Sequence, residues 1–277
     1  VTPGEELEWK LLTDLLEARY GLVFPGVRLE ILRARLNARL QALHLETFLE
    51  YYHYLRSHPD REAEFVEVVR RTTNNETYFL REPHHFDIVV RHLIPELGPV
   101  LRQRPLRVLS AACSSGEEPY SLVIALQQAG VELTGVQWQI DACDLNVDRL
   151  DQARRATYEA GSLRACSEDD KIKLFTAEGS RYVLKERYRK GVRFVEANLA
   201  APFSGLGAQS YDAIFCRNLL IYLSETAIRA LVDRFARLLL PGGLLLLGHA
   251  ESLIDKSADF APVVLEGVVV YRRVAAQ

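Results

Sequence analysis

Long hydrophobic runs are missing from this chain. Its apolar stretches, such as Leu244–Leu247, fall far short of the ~20 residues that a membrane-crossing helix needs. Strong charge of either sign is missing too. The formal net charge is −3, which withholds the basic field that broad nucleic-acid binding requires. Cysteine is sparse: Cys113, Cys143, Cys166 and Cys216 are the only four, and none forms a C-x-x-C pair. That spacing argues against zinc, and no metal is expected. Cys143 and Cys216 end predicted strands and Cys113 lies just past one; the cysteines read as small buried core residues, with a catalytic thiol as the alternative. Methionine is absent; we have no physical account of this. The acidic start Val1-Thr-Pro-Gly-Glu-Glu6 lacks a signal-peptide pattern, so a cytoplasmic monomer without membrane insertion is expected.

What is present suffices for one core domain plus a small one: 277 residues, 48% of them apolar. Residues 1–72 read as a helical domain. Glu6–Tyr20 carries Leu7, Leu11, Leu12, Leu15 and Leu16 at helical spacing, and Gly21 ends it. Val27–Leu43 has a stripe of Leu29, Leu32, Leu36, Leu40 and Leu43, and Thr47–Leu55 and Arg61–Thr72 complete a bundle. Arg28, Arg35 and Arg39 fall within roughly 40° of one another on one edge of the second helix, with Arg33 on the other side. They form either a solvated face or a docking strip for an acidic partner.

Residues 73–104 read as a linker and domain junction, polar at Thr72-Thr-Asn-Asn-Glu and aromatic towards Phe86. His84 and His85 there read as structural or partner-facing. From residue 105 onward, strands alternate with helices, which implies a doubly wound α/β domain with a largely parallel sheet. The strands are Leu106–Ala111, Val136–Cys143, Val192–Ala197, Tyr211–Cys216 and Leu244–Gly248. The helices are Pro119–Ala129, Val147–Tyr158 and Ser224–Leu240. A final pair, Phe260–Leu265 and Val268–Arg273, is joined by Glu266-Gly267, a hairpin signal that tucks an antiparallel strand into the sheet. The excursion at 158–190 is longer than a βαβ connection needs and predicts an inserted antiparallel β-subdomain, either structural or a partner site.

Three stretches carry chemistry. Leu106–Leu122 reads strand, small-residue turn, helix, the layout of a nucleotide-binding loop. Glu117 and Glu118 stand where a phosphate would need bare N–H groups. They either complement the helix dipole or suit a nucleoside with ribose hydroxyls and positive charge, such as S-adenosylmethionine. Asp144 ends the second strand, placed to accept ribose hydroxyls or to cap the next helix. Arg217 and Asn218 follow a strand at the sheet's carboxyl edge, as ligand groups or as a loop salt bridge.

Together, Asn75-Glu-Thr-Tyr-Phe-Leu-Arg81 with Pro83-His-His-Phe86, Cys113-Ser-Ser-Gly-Glu-Glu-Pro-Tyr-Ser121, Cys216-Arg-Asn-Leu-Leu-Ile-Tyr222, and Pro241-Gly-Gly-Leu with Gly248-His-Ala-Glu-Ser252 resemble the chemotaxis receptor methyltransferases of bacteria, the CheR family. The order matches over about residues 20–273. The resemblance implies an S-adenosylmethionine-dependent methyltransferase sheet, an all-helical N-terminal substrate-recognition domain and a small antiparallel β insertion. It implies methyl esters formed on glutamates of a chemoreceptor's cytoplasmic helical bundle, with S-adenosylhomocysteine as the product. Position by position it implies cofactor contacts from Asn75, Thr77, Arg81, Glu117, Asp144, Asn198, Leu199, Arg217 and Asn218. It places Arg81 and Tyr222 nearest the transferred methyl, and it favours docking by Arg28, Arg35 and Arg39. Members that bind a tethering peptide from the receptor's C-terminus carry a longer glycine-rich loop in the insertion. Here the turn is only Ala177-Glu-Gly-Ser180, so tethering is not expected.

A glutamate carboxylate is ionised at pH 7 and needs no general base to attack a sulfonium methyl, so catalysis rests on positioning and desolvation. Two rivals are a methyltransferase for a nucleic acid or small molecule, and a non-catalytic module that binds S-adenosylmethionine or its product. The former predicts stacking aromatics in a basic groove or a closed apolar pocket; intact Arg81, Asp144, Arg217 and Tyr222 argue against the latter.

Overall fold

The computed structural model describes residues 3–72, 76–201, 210–253 and 257–274. They fall into two compact units. One comprises Val1–Asn74 with Ala200–Pro202 and Tyr222–Ile228; the other comprises Asn75–Leu199, Phe203–Ile221 and Arg229–Gln277.

The first unit is built on four helices, α1 (Pro3–Tyr20), α2 (Val27–Ala42), α3 (Phe48–Ser57) and α4 (Arg61–Thr72). Their apolar stripes meet: Leu12, Leu16, Leu32, Leu36, Leu40, Tyr51, Leu55, Phe65 and Val68 are all buried. Thr47 starts α3 with a capping box, its hydroxyl accepting the Glu50 N–H while Glu50 reaches back to the Thr47 N–H. Gly21, at φ +69°, ends α1 where an added Cβ would come within 2.6 Å of the Ala227 Cβ. This close approach brings the Gly21–Val23 link against residues 222–224. Leu22 forms an antiparallel bridge with Leu223, and Val23 donates its N–H to the Tyr222 carbonyl at 2.9 Å.

The second unit holds a seven-stranded sheet in the order β6-β2-β1-β7-β8-β10-β9. The strands are β1 (Leu106–Ala111), β2 (Trp138–Asp144), β6 (Val192–Glu196), β7 (Tyr211–Cys216), β8 (Leu239–Leu247), β9 (Phe260–Leu265) and β10 (Val268–Arg273). The first five run parallel, and β10 enters antiparallel between β8 and β9. This is the C-terminal arrangement expected from the sequence, with Glu266 and Gly267 both at positive φ as a two-residue hairpin turn requires. Helices α7 (Glu117–Gln128), α8 (Val147–Arg155) and α10 (Glu225–Leu238) lie between strands in the sequence.

Three elements depart from the sequence reading. The stretch read as linker is largely helical: α5 (His84–Ile88), a π turn (Val89–Leu93) and α6 (Ile94–Leu101). Pro95 and Pro99 argue against a helix in sequence, yet the π turn re-routes the backbone, Ile94 donating to the Val89 carbonyl. Phe86, Ile88, Val89 and Leu93 then bury against the sheet. Helix α8 ends at Arg155, three residues earlier than expected, with Ala156 at φ +50° capping it. Finally, β8 begins at Leu239, ahead of Pro241-Gly-Gly243, and its pairing with β7 shifts register between Tyr211 and Ala213.

The insertion is present, as β3 (Thr157–Glu159), β4 (Phe175–Glu178) and β5 (Arg181–Leu184) in a separate antiparallel sheet ordered β3-β5-β4. It also contains α9 (Glu168–Leu174), started by a Ser167–Asp170 capping box. Among the described residues no helix is long and apolar enough to cross a membrane.

Candidate active site

Parallel strands β1, β2 and β7 end together, and their ends and the segments beyond them carry Glu117, Asp144, Arg217 and Asn218. After β1 the backbone turns through Ala112 at φ +61°, Ser114 at +49° and Gly116 at +89°. Non-glycine residues reach this left-handed region at a cost, and such strain concentrates at functional sites. Gly116 has no alternative, because a Cβ there would meet the Ala153 Cβ at 2.8 Å and the Phe194 ring at 3.2 Å.

Asp144 is the staple of this turn. Its Oδ2 accepts the Ser114 N–H at 2.8 Å and its Oδ1 accepts the Asn146 N–H at 2.8 Å. The helix cap falls instead to Asn146, whose side chain accepts from Asp148 and Arg149. Burial pushes the Asp144 carboxyl above its ordinary pKa, and these backbone bonds offset the rise only in part.

The two glutamates of the turn differ. Glu117 is 1% exposed; its Oε2 accepts the Ser115 hydroxyl at 2.8 Å and its Oε1 accepts the Ser162 hydroxyl at 2.9 Å. Burial raises its pKa, while the two serines and the Arg149 charge pull it back. Glu118 instead reaches Arg217, Oε2 to Nη1 at 3.1 Å, and accepts the Ser110 hydroxyl at 2.6 Å.

Arg217 is enclosed. Its side chain is only 2% exposed, gripped between Glu118 and Glu82. Nε and Nη2 donate to Glu82 Oε2 at 3.2 and 2.9 Å, and Nη2 also donates to the Arg81 carbonyl at 2.6 Å. Four of the five guanidinium N–H donors are thereby engaged within the protein. Glu82 also meets His249 Nδ1 at 2.6 Å, while His85 Nδ1 stands 3.4 Å away without hydrogen-bond geometry. Burial alone would raise the Glu82 pKa. The histidines and the Arg217 charge outweigh it and hold this carboxyl well below the usual carboxylate range.

The outcome of that cluster is the placement of Arg81. Its carbonyl is bound by Arg217, and its neighbours Leu80 and Glu82 adopt φ +59° and +52°. Leu80 donates its N–H to Ser121 Oγ at 2.9 Å, and Phe79 is fully buried against Tyr158 and Phe175. The backbone is thus fixed on both sides while the guanidinium is half-buried, donating to the Glu76 carbonyl at 3.1 Å and standing 5.6 Å from the Tyr78 ring centroid. Thr77 lies on the same extended stretch, half-buried.

Asn198 and Leu199 follow β6, and the Leu199 carbonyl accepts from Arg234 at 2.7 Å. Asn218 stands at φ +59° after β7. The residue that fixes it is Glu251, whose carboxylate accepts three backbone N–H groups: Asn218 at 2.8 Å, Leu220 at 2.7 Å and Gly248 at 2.8 Å. Sequence reasoning assigned Glu251 and Glu82 no role, although both lie inside or beside quoted motifs. Ser162 carried no signal at all. Asn75 lies outside the described residues.

Tyr222 belongs to the helical unit. Its carbonyl is bound by Val23, and the Arg28 guanidinium stands 4.5 Å from its ring centroid. The other two arginines of the expected strip are also engaged. Arg35 donates to the Arg71 carbonyl at 2.7 Å. Arg39 forms a two-point pair with the buried Glu64, Nε–Oε1 2.9 Å and Nη2–Oε2 2.6 Å, and Tyr51 adds its hydroxyl to Glu64 at 2.6 Å. The Glu64 bonds raise the Arg39 pKa further above its ordinary value.

Buried carboxylates on strained turns beyond parallel strands suit a ligand that offers hydroxyl donors and positive charge, and they oppose a pyrophosphate. That acceptor set fits the ribose hydroxyls and sulfonium charge of S-adenosylmethionine. Among the described residues no cluster of His, Cys, Asp and Glu is arranged to hold a metal ion. Fold and site define a class, the S-adenosylmethionine-dependent methyltransferases with an appended helical domain. Residues 7–73 match the family description "CheR methyltransferase, all-alpha domain" and residues 75–268 match "CheR methyltransferase, SAM binding domain". The chain belongs to the CheR methyltransferase family. It is 35% identical over 254 residues to chemotaxis protein methyltransferase 2 of Vibrio cholerae, covering 89% of this chain and 86% of that one. It is 32% identical over 270 residues to the chemotaxis protein methyltransferase of Salmonella typhimurium, covering 96% and 90%. The protein is therefore an S-adenosylmethionine-dependent methyltransferase.

Proposed function

We propose that this enzyme esterifies glutamate side chains in the cytoplasmic helical bundle of a chemoreceptor, setting the receptor's adaptation state. The observation that carries the reading is the presentation of Arg81: a guanidinium with a pinned backbone, flanked by two left-handed residues. A planar fork so held matches the planar carboxylate of a substrate glutamate.

Bound S-adenosylmethionine supplies an electrophilic methyl on a positively charged sulfur. The substrate carboxylate is already ionised, so no side chain has to remove a proton. That carboxylate would be the methyl acceptor, with the sulfur keeping the electron pair of the bond it gives up. Arg81 aligns that carboxylate, and orientation of this kind supplies up to roughly 7–11 kcal/mol in favourable cases. Tyr222 is assigned to the same reaction on the strength of the family motif Cys216–Tyr222. Asp144 and Glu117 would hold the nucleoside and aminoacyl portions, with Thr77, Asn75, Asn198, Leu199 and Asn218 in support. Arg217 acts through Arg81, whose carbonyl it binds.

Substrate docking falls chiefly to Arg35, the one exposed member of the three-arginine edge, together with Arg28. Arg39 contributes indirectly by fixing α2 on α4 through Glu64. The test is incubation with receptor-rich membranes and methyl-labelled cofactor, followed by mass-spectrometric mapping. Methyl esters on receptor glutamates are the expected result. Label on lysine, nucleic acid or a small molecule would overturn the reading.

A further inference from the structure

One residue of the inserted β-subdomain touches both the Glu117 carboxylate and the segment that carries Arg81. We infer that Ser162 is a positioning residue of the cofactor site, fixing the Glu117 carboxylate and the Arg81 segment from opposite ends of a single residue. The Ser162 hydroxyl donates to Glu117 Oε1 at 2.9 Å, and its carbonyl accepts the Phe79 N–H at 2.9 Å. Phe79 stands two positions before Arg81. Glu117 lies at the first position of α7, so the insertion addresses both segments at once.

Neighbouring contacts reinforce this attachment. Tyr158, on β3, donates its hydroxyl to the Ser115 carbonyl at 2.9 Å. The Tyr158 ring meets Phe79 edge-on at 4.8 Å, and Phe175 of β4 meets Phe79 edge-on at 4.9 Å. Leu163, Leu174 and Leu184 are fully buried in this cluster. The subdomain is therefore packed as a core against the segments that carry Glu117 and Arg81.

Both Glu117 oxygens accept a serine hydroxyl, and these donors favour the ionised form of a carboxylate that burial would otherwise protonate. The charged and titratable groups around it are few. Arg149 of α8 attracts it, and Asp144 shares the same turn. Tyr158 and Cys113 face it with pKa values pushed far up by burial, so both stay neutral near pH 7. The inference rests on the reading of Glu117 as a cofactor residue.

Ser162→Ala in the full chain removes the hydroxyl and keeps the carbonyl that holds Phe79. Calorimetry with S-adenosylhomocysteine from about pH 5 to pH 8 reads the consequence, with Ser162→Thr as the conservative variant and Glu117→Gln as the control. Loss of a hydrogen bond to a charged group predicts about tenfold weaker binding at pH 7 for Ser162→Ala. With that donor gone the Glu117 pKa rises further, so the pH below which affinity falls moves upward. Ser162→Thr restores both affinity and pH profile. Unchanged affinity in Ser162→Ala beside weakened binding in Glu117→Gln overturns the role of Ser162 alone. Unchanged affinity in Glu117→Gln overturns the reading of Glu117 itself. A loss in Ser162→Ala with an unshifted pH profile marks general loosening and also counts against the inference.

Discussion

The arginine edge of α2 and the carboxyl edge of the sheet both look, in sequence, like charge laid out for a partner. In the structure they use charge differently. On α2 the cations are drawn inward: Arg39 to the buried Glu64, Arg35 to the Arg71 carbonyl, Arg28 to the Tyr222 ring. At the sheet edge the cation Arg217 is likewise enclosed, but its enclosure fixes the backbone of a second arginine, Arg81. A charged helix face can thus be spent largely on its own fold. A charged strand end, where several loops converge, can spend one cation to present another.

The comparison can be broken most directly at Glu64. Glu64→Ala strands the Arg39 guanidinium and the Tyr51 hydroxyl, and loss of one partner of a buried pair costs about 3–5 kcal/mol. Urea unfolding should show that loss; a change under about 1 kcal/mol would mean that Arg39 is available for docking after all. The matching lesion at the sheet edge is Glu251→Ala, which leaves three loop N–H groups without their acceptor. It should cost about 1–3 kcal/mol and weaken S-adenosylhomocysteine binding in calorimetry, because the Asn218 turn loses its anchor. Normal cofactor affinity would confine Glu251 to stability. The smallest effect is expected from Arg35→Glu: KM for receptor about three- to tenfold higher with kcat unchanged, the difference shrinking as salt screens the contact. A fall in kcat instead would remove Arg35 from docking and place it in the fold.

Much of this organisation was legible in the residues. The alternation from β1 to β8 shows in short apolar runs, Asp144 and Glu117 stand out because a strand end and a turn carry them, and Arg81 stands out only through the family motif Asn75–Arg81. What hid from sequence was pairing between distant elements. Helical periodicity puts Arg28, Arg35 and Arg39 on one edge. It carries no information that Glu64, 25 residues away on α4, neutralises one of them. The α5–α6 stretch was hidden by Pro95 and Pro99, whose cost the π turn and burial on the sheet offset. Helix α9 has a clear capping box, but its seven mostly polar residues carry too little periodicity to stand out. The division between units also cuts across the sequence, since the Tyr222 carbonyl accepts the Val23 N–H and Leu223 bridges to Leu22 within the helical unit.

The most direct test of the contrast measures stability and receptor methylation side by side in Arg81→Ala and Arg39→Ala. For Arg81→Ala, methyl-transfer kcat/KM should fall about 100-fold while unfolding free energy stays within about 0.5 kcal/mol of the parent. For Arg39→Ala, about 3 kcal/mol of stability should be lost while the folded enzyme keeps its turnover within about threefold. The reverse pattern, with activity abolished in a stable Arg39→Ala and retained in Arg81→Ala, would contradict the assignment of Arg81 to the reaction and Arg39 to the fold.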